Sequence, residues 1–171
     1  MPAQEHGGEP GQRGKLNALL RRTLLLDLEV SHAGKILKVG ALLGAETLAC
    51  TGSGVTSAAW EELARLSGAA SCVLGHNLVR HDLAVLKEFI PQHPLLRLPV
   101  IDTLVLSPLV FPENPYHRLV KDYKLVRESV NDPVADARQA AALFEDEVRS
   151  FAHQHAQSFS NPFANPSDEV T

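Results

Sequence analysis

The chain has 171 residues, a mass of 18.6 kDa and a formal net charge of −4. That is the size of one ordinary domain, able to bury roughly 70% of its unfolded surface without metal or disulfide staples. The acidic balance excludes a broadly basic nucleic-acid-coating protein, and 44% hydrophobic with 21% charged residues excludes wholesale disorder. No run has the length of uncharged apolar residues that a membrane helix needs, and the N-terminus lacks a signal-peptide core. Cys50 and Cys72 have no CxxC or metal spacing, so a reduced, cytoplasmic location is expected.

In chain order, residues 1–14 are rich in Gly, Pro, Gln and charge and read as a flexible tail. Thr23–Val30 is a short apolar run expected to form a buried strand. Lys35–Leu43 and Thr47–Cys50 read as two more strands, with glycines around them that suit an antiparallel meander. Thr56–Leu66 reads as a helix with Ser or Thr as N-cap, and Ser71–Gly75 as a buried strand. Asp82–Ile90 is a helix stopped by Pro91, Val100–Asp102 a strand, and Thr103–Leu109 a helix. His117–Val126 and Pro133–Ala152 are expected to be helical, the latter with a stripe of Ala137, Ala140, Ala141, Phe144, Val148 and Phe151. Residues 157–171, with two Asn-Pro pairs, read as a tail or linker, leaving residues 15–156 as the domain. The pattern predicts an α/β fold: a mixed sheet, part meander and part parallel, flanked by helices.

Three acidic constellations stand out. Asp27 and Glu29 interrupt the first strand at i and i+2, so they share a face with Cα atoms roughly 6.5 Å apart. Like charges on an apolar strand are costly unless a cation or hydrogen bonds neutralise them; the alternative is a solvated edge strand. The second, Gly75-His76-Asn77-Leu78-Val79-Arg80-His81-Asp82, leaves a strand for a helix, and Asp82 reads as a site residue or as that helix's N-cap. The third is Asn131-Asp132-Pro133-Val134-Ala135-Asp136. Here Asp132 suits an N-cap and Pro133 the first helical position, while Asp136 either borders the buried face or complements the helix dipole.

The order of these motifs, from Thr23 to Ala152, resembles the DEDD superfamily of 3′–5′ exonucleases, the DnaQ-like proteins with an RNase H-like fold. Ile101-Asp102-Thr103 resembles the recurrent Asp-Thr of that family. More narrowly, DLEVSHAGKILKVGALLG with PYHRLVKDYKLV and NDPVADA is similar to the exonuclease-like domain of some bacterial RecQ-type helicases, which implies a fused or associated helicase. The resemblance implies that Asp27, Glu29, Asp82 and Asp136 hold two Mg²⁺ or Mn²⁺ ions and that a phosphodiester at a nucleic-acid 3′ end, single-stranded DNA foremost, is hydrolysed. His76 and Asn77 would contact the terminal nucleotide or buttress their loop. Arg118 and Lys121, with Lys124 and Arg127, would form a phosphate-contacting stripe or simply a solvated face.

The pattern departs from the family at the residue that handles the attacking water. Where one branch has His and the other Tyr, this chain has Asn131 and Asp132. Asn can orient a water but cannot take its proton, so weak exonuclease activity is expected, with His117 or Asp132 as other bases. The rival expectation is a catalytically impaired module that binds DNA for a helicase.

Overall fold

The computed structural model describes residues 10–51, 54–113 and 132–160. Five strands form one mixed sheet: β1 (Thr23–Val30), β2 (Ile36–Leu43), β3 (Glu46–Cys50), β4 (Cys72–Gly75) and β5 (Val100–Asp102). Their order across the sheet is β3-β2-β1-β4-β5. The first three strands pair antiparallel as a meander, and β4 and β5 join parallel. The tight turns fall where glycine accepts a positive φ, at Gly34 (78°) and Gly44 (59°).

The alternation of β1 decides the layers. Leu24, Leu26 and Leu28 point to one side, into a core with Leu63 and Leu66 of α2 (Ser57–Ala69), Leu86 of α3 (Asp82–Phe89) and Leu95 of a 3₁₀ turn (Pro94–Arg97). Thr56 caps α2, its hydroxyl accepting the Ala59 N–H at 3.2 Å. Trp60 packs against this core and stands edge-on to His93, with ring centroids 6.3 Å apart. Leu25 points the other way, into a core with Leu74, Ala140 and Phe144. That layer is built from α1 (Pro10–Leu20), α4 (Thr103–Val110) and α5 (Pro133–Ser160).

The strands and central helices lie where the sequence places them, to within a few residues at their ends. Both termini differ. Residues 10–14, read as tail, belong to α1, and residues 157–160, also read as tail, extend α5. Helix α1 has weak propensity, with Gly11 and Gly14 in it, and is held by tertiary contact. Leu16 and Leu20, one turn apart, pack on the second core, and the Thr23 hydroxyl donates to the Leu19 carbonyl at 2.9 Å. The helix expected at His117–Val126 lies outside the described residues, as do His117, Arg118, Lys121, Lys124, Arg127 and Asn131. Among the described residues, no helix is long and apolar enough to cross a membrane. Cys50 and Cys72 are free thiols.

Candidate metal centre

Asp27 and Glu29 lie on the α5 side of β1, both half-buried. Asp136, in the first turn of α5, joins them. One carboxylate oxygen from each of the three lies within 4.8 Å of the others. No single element makes this meeting; it depends on how α5 starts. Asp132 caps the helix, its carboxylate accepting the Val134 N–H at 3.0 Å and its carbonyl the Asp136 N–H at 3.0 Å. The capped end then rests on β2 at Gly40, the cross-strand partner of Asp27. Only a residue without Cβ admits the helix backbone there. Carboxylate oxygens are the donors that hard divalent cations prefer, so this set could hold such an ion.

Of the four acids expected together, the structure groups three. Asp82 is the first residue of α3 and not its N-cap, which is His81. Its Oδ1 instead accepts the N–H of Leu28, between the two acids of β1, at 2.7 Å. This bond has a geometric cause. Strand β4 pairs with β1 only from Thr23 to Leu25, and at Gly75 it runs so close to Leu26 that a Cβ would meet the Leu26 carbonyl oxygen at 2.6 Å. Beyond that point the side chain of Asp82 supplies the acceptor for the β1 backbone. Asp82 is 3% exposed, and burial pushes its carboxyl up to about 7 against the pull of the Leu28 N–H and its own N–H, with Asp102 and Glu29 pushing further. His81 beside it is exposed, its Nδ1 3.5 Å from Asp82 Oδ2.

The loop between β4 and Asp82 is organised by Asp102. One Asp102 oxygen accepts the N–H groups of Asn77 (2.9 Å) and Leu104 (3.0 Å), and the other that of Val79 (2.9 Å). The carboxylate thus caps α4 and pins the loop, where Asn77 takes a φ of 61°. His76 Nδ1 lies 2.8 Å from the Thr103 hydroxyl, which also lies 3.4 Å from the Gly75 carbonyl. Burial lowers the pKa of His76, although Asp102 pulls it up. The His76 ring and the Asn77 backbone are therefore both held at the carboxyl end of β4.

One further acid was missed. Glu147 is 1% exposed, and among the described residues neither carboxyl oxygen has a hydrogen-bond partner. Burial raises its pKa to about 7, and Asp102 adds to the rise. It was legible as an acid within the apolar stripe of α5, one turn from both Phe144 and Phe151. No protein-family model, curated protein or solved structure matches the chain.

Proposed function

We propose that the protein is a cytoplasmic, metal-dependent 3′–5′ exonuclease with an RNase H-like arrangement, acting on single-stranded DNA ends. The observation that carries the reading is the convergence of Asp27, Glu29 and Asp136 within 4.8 Å. A meander followed by parallel strands, with a late helix delivering the third acid, supports it. Divalent cations held there would offset the charge of a phosphodiester and favour ionisation of an attacking water. The three carboxylates bind and orient. His76 and Asn77, fixed by Thr103 and Asp102, border the end of β4 as contacts for a terminal nucleotide. Asp82 keeps the intervening β1 backbone in place, and the family resemblance would make it the fourth carboxylate around a bound metal.

The test is a gel assay on 5′-labelled single-stranded DNA with Mg²⁺, Mn²⁺ or EDTA, with Asp27→Ala protein as control. A ladder that requires both metal and Asp27 is expected; its absence in every metal overturns the reading. A second reading, a DNA-binding module of a helicase without turnover, is favoured by Asp132. Its carboxylate is engaged in capping α5 and so is poorly placed to serve as a base. Metal-dependent DNA binding without product is its signature.

A further inference from the structure

The positive charge among the described residues is unevenly spread. Residues 10–22 carry Arg13, Lys15, Arg21 and Arg22 and no acid, in a chain whose net charge is −4. All four are exposed, and among the described residues none is in an ion pair. Where α1 meets α5 and the β2–β3 turn there is a cavity of about 630 Å³. Leu20, Leu25, Leu42 and Ala141 give it an apolar lining. Arg21, just after α1, and Arg138 of α5 flank it, with Asn17, Thr23 and Glu145 as its other polar side chains. The volume falls in the range of small-ligand sites, as does an apolar lining with a few polar groups.

We infer that this surface binds a single-stranded polynucleotide, the two arginines gripping phosphates and the cavity receiving a base. Two observations meet at Arg21: it belongs to the acid-free cationic segment, and with Arg138 it flanks the apolar hollow. Guanidinium groups pair bidentately with phosphate and stack on base planes, which suits both parts of a nucleotide. Single-strand binders combine these same components, a cationic track and base-sized apolar platforms. The position relative to the carboxylates is also apt. Leu25 lines the cavity and precedes Asp27 by two residues on the same face of β1, so their Cα atoms are roughly 7 Å apart. Arg138 follows Asp136 by two residues on α5, so the cavity and the carboxylates lie on either side of one helix. As a path for substrate, the surface rests on the nuclease reading; as a binding surface it does not.

The experiment measures anisotropy of a labelled oligothymidylate with the full chain in EDTA, where no cleavage occurs, across a salt series. Arg21→Ala with Arg138→Ala is expected to weaken binding about tenfold and to reduce the salt slope by about 1.4, the loss of two phosphate contacts. Glu145→Lys, of opposite sign, is expected to tighten binding, which guards against an effect of misfolding. Unchanged affinity and slope in both proteins overturn the inference, as does equal competition by poly-glutamate, which would mark a general anion surface. The gel assay separates the two ideas. Arginine-dependent binding without a ladder keeps this surface and removes the nuclease; a ladder with arginine-independent binding does the reverse.

Discussion

The backbone of Pro133 lies directly on Gly40: a Cβ on that glycine would stand 2.5 Å from the Val134 nitrogen and 2.6 Å from the Pro133 carbonyl oxygen. Because Gly40 pairs with Asp27 and Pro133 precedes Asp136 by one turn, this contact sets the distance between the two carboxylates. The obstructing atoms are backbone and cannot rotate away. Gly40→Ala is expected to cost about 1–3 kcal/mol, a fall of roughly 2–4 °C in Tm for each. It should also abolish stabilisation by Mn²⁺ while leaving both acids in the chain. Thermal melts with and without Mn²⁺ measure both effects.

The carboxylates themselves should show a distinct pattern. Asp27→Asn, Glu29→Gln and Asp136→Asn each remove one charge from a group of three like charges. The parent should gain about 2.7 kcal/mol at a Mn²⁺ concentration of 100 times Kd, and the variants much less. Equal Mn²⁺ shifts in parent and all three variants would show that the ion binds elsewhere.

Asp82 joins α3 to β1 through one side-chain oxygen, which an amide can also supply. Asp82→Asn keeps an oxygen for the Leu28 N–H and should fold with near-parental stability. Asp82→Leu leaves that buried N–H unpaired and should cost about 1–3 kcal/mol. Urea titration of the pair measures the difference, and identical midpoints would deny the bond any role in stability.

Asp102 holds three backbone N–H groups at once. Asp102→Ala is expected to destabilise the protein by about 3 kcal/mol through loss of the α4 cap and two part-buried loop bonds. The amides of Asn77 and Val79 should then exchange with solvent much faster, whereas those of the β1–β2 ladder should keep their order of protection. Hydrogen exchange reads this directly.

Glu147 gives stability a pH dependence of known sign. Its folded pKa, about 7, is above the ordinary 4.5, so the folded state holds the proton more tightly than the unfolded chain. Stability is highest below pH 4.5 from this group and declines as pH rises to about 7, where the loss is complete. Asp82, shifted the same way, adds to the decline. Glu147→Leu should raise stability at pH 8 by roughly 1–3 kcal/mol and flatten the profile without removing the Asp82 part. A Tm series from pH 4 to 8 tests it; an unchanged profile would mean that Glu147 titrates normally.

Much of this architecture was legible in the chain. The period-two burial of β1 placed Asp27 and Glu29 on one face, because strand geometry allows no other arrangement at i and i+2. Capping chemistry located the start of α5 at Asp132 and Pro133, since an Asx side chain before a proline satisfies the free N–H groups of a first turn. The acid in the apolar stripe at Glu147 was equally visible, though its burial was not. Helix α1 was invisible to propensity, because Gly and Pro argue against a helix and only docking through Leu16 and Leu20 argues for it.

What the sequence determined by itself is therefore local: strand faces, helix starts, turn glycines and the identity of the acids. Tertiary structure alone decided which acids meet. Asp136 reaches Asp27 because Gly40 lets a helix backbone touch the sheet, and Asp82 turns to the Leu28 N–H because the β1–β4 ladder ends at Leu25. Such outcomes depend on contacts between residues far apart in the chain. Packing distances of a few ångströms settle them, and no spacing along the sequence encodes those distances.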